Sequence, residues 1–381
     1  MKRIILILTT TIFLLISSCK NENKIPMAET IAAAKEYHGK EISSEFDVKI
    51  NVLIAQMTIE EKIGMLHGNS MFATGGVERL GIPELKMVDG PLGIREEISK
   101  NSWASAGLDN DYATYYPAAG AVAATWDPEL SYTFGNSVGQ EARARGKDML
   151  LSPAINIVRT PLGGRTYEYF TEDPFLNKKL AVPFIVGVQK NDIMACVKHF
   201  AVNNQETNRG TVDVLVDERT LREIYLPAYK AAVTEANAYS LMGAYNKFRG
   251  DYLCENDLML NKILRDQWGF KGVVVSDWAA VHTTVKSLEN GLDIEMGTPK
   301  PFNEYFLADK LIKAAKTEEI SEEEINKHVK RILNVLFQVK AIEGKDRTGG
   351  SIATEAHYKD AYTIAAEAIV LLKNNKNVLP L

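Results

Sequence analysis

The sequence has 381 residues, of which 24% are charged, a formal net charge of −5 at pH 7 and three cysteines. That length is ample for one large α/β domain with a full core, and an acidic balance with no basic stripe argues against a nucleic-acid partner. No CxxC, HExxH or clustered His/Cys spacing occurs, so neither a metal nor a cofactor is expected.

Lys2 and Arg3 form a charged start, Ile4 to Ile16 an apolar stretch too short to span a bilayer, and Ser17-Ser18-Cys19 a small-residue cleavage site. This predicts a signal peptide over 1–19. Cys19 reads as a lipobox cysteine that becomes the lipidated first residue; the alternative is a plain secretory signal in which Cys19 is incidental. Residues 20–45 read as a polar tether. No later apolar run is long enough to cross a membrane, so the expected membrane link is a lipid anchor at Cys19, on an exported, periplasmic or cell-surface protein. Of the remaining cysteines, Cys196 falls in an expected core strand. Its pairing with Cys254 is not legible from sequence, and nothing specifies an oligomeric state.

From residue 46 to 341, strand and helix patterns alternate. Thr58-Ile59-Glu60-Glu61 is a capping box opening a helix that carries Ile63 and Leu66. Leu85 to Val88 is a short strand ending in Asp89-Gly90-Pro91. Met149 to Leu151 and Ile155 to Val158 are apolar and are followed by Arg159. Ile193 to Val197 runs into Lys198-His199, Tyr239 to Ala244 into Tyr245-Asn246, and Leu292 to Ile294 into Glu295. Between them, Glu218 to Ala236 has helical spacing, and Ser321 and Glu324 cap a later helix. Alternation of this kind implies a parallel sheet. Polar residues recur at one strand end after another, and a barrel brings all such ends to one face. With no GxGxxG or Walker sequence to suggest an open nucleotide-binding sheet, the expected fold is a (β/α)8-like TIM barrel. Residues 342–357 read as a linker. Residues 358–381 read as a helix to Lys373 and then an apolar start, the beginning of an incomplete second α/β domain.

Val273-Val274-Val275 reads as a strand buried on both faces, with Asp277 and Trp278 at its C-terminal end. Asp277 is either a catalytic carboxylate, placed where parallel α/β proteins bind ligands, or the N-cap of a following helix. Lys198-His199 suits a polyhydroxylated ligand or, alternatively, a salt bridge beside a core histidine. Asp89 by itself reads equally as a turn residue. Gly135 to Gly139 matches GxSxG, but Ser137 falls in mid-helix, which excludes a nucleophile elbow.

Five segments carry a family resemblance: Val88-Asp89-Gly90-Pro91-Leu92-Gly93-Ile94-Arg95, Gly163 to Pro174, Lys198-His199-Phe200-Ala201-Val202-Asn203-Asn204, Met242-Gly243-Ala244-Tyr245-Asn246 and Val275-Ser276-Asp277-Trp278. The chain resembles glycoside hydrolase family 3, in particular its β-glucosidase-like members, over nearly everything after residue 45. Ile369 to Leu381 resembles the start of that family's second domain, an α/β sandwich. The resemblance implies a β-glycoside or oligosaccharide substrate and a retaining mechanism. Asp277 would be the nucleophile. Asp89, Arg165, Lys198 and His199 would bond the hydroxyls of the sugar being cleaved, and Tyr245 and Trp278 would line its subsite. In such members the acid/base glutamate lies in the second domain. The β-N-acetylglucosaminidase branch instead uses a His-Asp pair after the Lys-His motif. Here Ala201 to Glu206 contains no histidine, so that branch fits poorly. Glu168, Glu172 and Glu206 remain formal in-chain candidates for the acid. β-Xylosidase-like activity and non-hydrolytic glycan binding are the competing functions.

Overall fold

The computed structural model describes residues 36–297 and 300–380. The expected leader over 1–19, its Cys19 and residues 20–35 of the expected tether lie outside these residues. The folded body starts at Tyr37, ahead of the expected boundary at 46. Tyr37 and Ile42 are buried, and the Gly39 amide donates to the Glu235 carbonyl at 3.0 Å.

Helices α1 (Asp47–Gln56) and α2 (Ile59–Gly64) lead into an antiparallel pair, β1 (Gly68–Ser70) and β2 (Ala73–Thr74). Thr58 caps α2 in both directions: its hydroxyl accepts the Glu61 amide, and the Glu61 carboxylate accepts the Thr58 amide. The body then runs through β3 (Met87–Asp89), α3 (Ala119–Thr125), α4 (Pro128–Ala144), β4 (Met149–Leu151), α5 (Pro174–Gln189) and β5 (Met194–Phe200). It continues with β6 (Asp213–Val214), α6 (Pro227–Thr234), β7 (Ser240–Gly243), β8 (Lys247–Phe248), β9 (Asp251–Tyr252) and β10 (Val273–Ser276). The last two long helices are α7 (Glu322–Gln338) and α8 (Glu355–Glu367).

Strands β3, β4, β5, β7 and β10 pair in parallel in that order. Val275 then bridges Ile294, Glu295 meets His67 before β1, and Ala73 of β2 bridges Lys86 before β3. The Met87 amide closes the circuit by donating to the Phe72 carbonyl at 2.7 Å. The result is a barrel-like α/β fold with every residue of β10 buried, as expected of a strand covered on both faces. It differs from eight regular β/α repeats in two places: β2 runs antiparallel with no helix between it and β1, and Leu292–Ile294 forms a bridge rather than a strand. Among the described residues, no helix is long and apolar enough to cross a membrane.

Two expected helices change in form. The helical spacing over Glu218 to Ala236 is split at Pro227, which brings no amide hydrogen to continue the ladder. Leu221–Tyr225 is wound with wider π-type turns, and the Leu226 amide reaches back five residues to the Leu221 carbonyl at 3.0 Å. Further on, α8 starts three residues before 358 and ends at Glu367 rather than Lys373. Ile369 to Leu372 lies beyond it, exposed. The expected linker is fastened to the barrel by Thr348 Oγ1 donating to the Asn191 carbonyl at 2.7 Å, and by the Ala353 amide donating to buried Glu141 at 3.0 Å.

Candidate active site

The seven residues singled out in the sequence as site candidates all meet in one cavity of about 210 Å³ at the C-terminal ends of the parallel strands. Asp89 comes from the end of β3, Arg165 from the loop after β4, Lys198 and His199 from β5. Tyr245 follows β7, and Asp277 and Trp278 follow β10. The register of β5 on β7 shifts between Val197 and Phe200. The Lys198–His199 and Phe200–Ala201 peptides are cis, and both Lys198 and His199 line the cavity.

No helix begins directly after Asp277; the next starts at Val285, which removes the helix-cap reading. Oδ1 of Asp277 accepts the Trp278 amide at 2.8 Å. Oδ2 is buried without a hydrogen bond and stands 3.7 Å from His199 Nε2. Arg165 Nη2 donates to that same Nε2 at 2.8 Å. A guanidinium only donates, so Nε2 is an acceptor and the imidazole proton sits on Nδ1, which is itself buried and unpartnered. Burial, with the cations Arg165, Lys198 and Arg209, holds His199 well below its ordinary pKa. Because Nε2 carries no proton, the neutral His199 donates no hydrogen bond to Oδ2. Burial pushes the Asp277 carboxyl above its ordinary range, while Arg165, the Trp278 amide, Lys198 and Tyr245 pull it back.

The other polar groups are held in place by ion pairs. Lys198 Nζ donates to Asp89 Oδ1 at 2.7 Å and lies 3.9 Å from Glu168 Oε2. Burial raises the Asp89 carboxyl, but Lys198, the Gly90 amide and Arg165 outweigh it and hold it below the usual range. Glu168 also accepts from Arg165 Nε, so it fixes the two cations. Glu206 is bound by Arg209 at 2.6 Å and Asn203 at 3.3 Å. Glu172 is exposed and does not line the cavity.

Other strand ends are used elsewhere. Arg159 and Asn246 line a separate cavity, and the Glu295 carboxylate accepts the Leu307 amide at 2.6 Å. Ser137 lies within α4 and donates to Asp360, as a mid-helix serine should. Cys196 and Cys254 are both free and buried. Among the described residues, no group of three or more His, Cys, Asp or Glu side chains is arranged to hold a metal ion.

The sequence reading missed five lining residues: Phe72, Trp103, Leu151, Arg209 and Met242. Phe72 sits in the turn between β1 and β2, and Trp103 in a loop without periodicity. Arg209 lies 4.2 Å from the Tyr245 ring centroid. Met242 and Leu151 are ordinary strand residues, so only the curl of the sheet brings them to the cavity.

The family model for the glycosyl hydrolase family 3 N-terminal domain matches residues 87–335. The chain belongs to glycosyl hydrolase family 3. It is 45% identical over 337 residues to the β-glucosidase BoGH3A of Bacteroides ovatus, covering 86% of this chain and 45% of that protein. It is 44% identical over 335 residues to the thermostable β-glucosidase B of Acetivibrio thermocellus, covering 88% and 43%. The structure of β-glucosidase 3B from Thermotoga neapolitana in complex with glucose superposes with a TM-score of 0.80 at 38% identity, over 87% of this chain and 48% of that one. This family 3 chain thus spans a little under half the length of the relatives it matches.

Proposed function

We propose that this chain is the nucleophile-bearing barrel of an exo-acting, retaining β-glucosidase. The observation that carries the reading is the uncapped, buried Oδ2 of Asp277 in a cavity also lined by Asp89, Arg165, Lys198 and His199. The cavity is small enough to favour one terminal sugar ring over a long glycan. Asp89, Arg165, Lys198 and His199 bond the ring's hydroxyls, and Tyr245 and Trp278 line its apolar side. Asp277 Oδ2 bonds to the anomeric carbon as the bond to the leaving oxygen breaks and takes its electron pair. Water then displaces the carboxylate from the glycosyl-enzyme.

Retention also requires a second carboxyl about 5–5.5 Å from the nucleophile. Asp89 is the other carboxylate lining the cavity, and it is committed to Lys198. In line with the resemblance to β-glucosidase-like members, the acid/base glutamate is proposed to lie in a second domain. The test is labelling of the full-length protein with an activated 2-deoxy-2-fluoro-β-glucoside, followed by peptide mapping. The label is expected on Asp277; a label on any other residue overturns the assignment.

The protein is further proposed to be exported and lipid-anchored, from Lys2-Arg3, the apolar run to Ile16 and Ser17-Ser18-Cys19. Cys19→Ser is expected to abolish incorporation of radiolabelled palmitate in a bacterial host. Undiminished incorporation would sink the anchor.

A further inference from the structure

Three aromatic side chains line the cavity in a connected row. Trp278, 8% exposed, stands beside the nucleophile. Its ring centroid is 5.0 Å from that of Phe72, which in turn meets Trp103 edge-on at 5.7 Å. Trp103 is 49% exposed. The row therefore runs from the buried reacting carboxylate to solvent, the direction in which a departing group must leave.

Trp103 is held in place by a local framework. Residues 97–106 form a small hairpin: the Ala106 amide donates to the Glu97 carbonyl and the Ser99 amide to the Ala104 carbonyl, both at 2.8 Å. One backbone unit, Met71, joins this hairpin to the nucleophile's neighbour. Its amide donates to the Lys100 carbonyl at 2.8 Å, and its carbonyl accepts the Trp278 indole N–H at 2.9 Å. The Arg95 guanidinium packs against both Trp103 and Phe72, 5.3 and 5.7 Å from their ring centroids. The backbone on either side of this hairpin is clamped by Arg145, which donates to the carbonyls of Arg95 at 3.1 Å and Tyr112 at 2.8 Å and pairs with Asp111. A half-exposed indole held by Phe72 and Arg95 on an anchored hairpin is a preorganised surface for a flat or C–H-faced partner.

We propose that Trp103 is a specificity-determining residue of this site: its indole is the wall against which the leaving group rests, favouring aryl groups and second sugars with an apolar face. The inference builds on the glycosidase reading above and concerns only the leaving group. A residue of this kind acts on formation of the glycosyl-enzyme most when the leaving group is large enough to reach it.

The test compares labelling rates of full-length wild-type and Trp103→Ala protein with two reagents that deposit the same 2-deoxy-2-fluoroglucosyl group. One carries dinitrophenolate as leaving group and the other carries fluoride. Trp103→Ala is expected to slow labelling by the dinitrophenyl reagent about 3- to 10-fold more than labelling by the fluoride. Trp103→Phe, which keeps an aromatic face, is expected to restore most of the dinitrophenyl rate. Equal slowing with both reagents, or none with either, overturns the proposal. The glycosidase reading fails separately, if wild-type protein takes no label on Asp277 from either reagent.

Discussion

Asp277→Gly in the full-length protein is expected to lower turnover of an aryl β-glucoside by roughly four orders of magnitude or more, the scale on which losing a covalent nucleophile acts. Added azide is expected to restore part of the rate. It would bond to the anomeric carbon from the side the carboxylate vacated while the aryl oxygen leaves with its electron pair, giving the inverted glycosyl azide as product. A carboxylate that merely stabilised a turn would show neither the loss nor the rescue. The same residue is expected to set the acid limb of kcat/KM. Asp277 must be ionised to attack, and burial raises its carboxyl, so activity is expected to fall, as pH is lowered, above the ordinary carboxylate pKa of about 3.9. Lys198→Met removes a cation that favours the ionised form, and the limb is expected to move to higher pH. An unmoved limb would mean that Asp277 does not control it.

Asp293→Ala is expected to destabilise the fold by about 3–5 kcal/mol, because it strands buried cationic groups. Asp293 is fully buried. One oxygen meets His328 Nδ1 at 2.7 Å and Arg331 Nη1 at 2.8 Å; the other accepts from Arg265 Nη2 and the Val274 amide, each at 2.7 Å. The cluster ties α7 and the helix preceding β10 to β10 itself, directly before Asp277. Burial disfavours the charged form, but Arg265, Arg331 and His328 outweigh it and hold the carboxyl far below its ordinary range. A depressed carboxylate stabilises the native state fully above its unfolded pKa, and this contribution is lost as pH falls towards the folded value. The penalty of the variant, measured by urea unfolding, should therefore shrink below about pH 4. A loss under 1 kcal/mol at pH 7 would show that the cluster does not hold this part of the barrel together.

Much of the fold was legible because its signals are local. The β-branched run Val273–Val275 must be a doubly covered strand, since three adjacent apolar side chains leave no solvent face. Thr58 and Glu61 satisfy each other within one turn, so their capping box survives any tertiary context. The break at Pro227 was equally local, and the helical spacing on either side of it obscured it. The barrel's closure was not legible. It passes through an antiparallel hairpin and a single bridge at Ile294, neither of which leaves a period in the sequence.

The site divides in the same way. The sequence by itself determined the family and which polar residues stand at strand ends: Asp89, Lys198, His199, Tyr245, Asp277 and Trp278 follow apolar runs that can only be strands, and the motifs around them and Arg165 are long and ordered. Tertiary structure alone decided what those groups do to one another. Arg165 sets the histidine tautomer that denies Asp277 Oδ2 a histidine N–H, Glu168 bridges Arg165 and Lys198, and Phe72 and Trp103 reach the cavity from distant turns. The physical reason is range. Strand and cap preferences act within a few residues, whereas the protonation and freedom of a buried carboxylate depend on charges that the chain supplies from distant positions, as with Arg165 acting on Asp277.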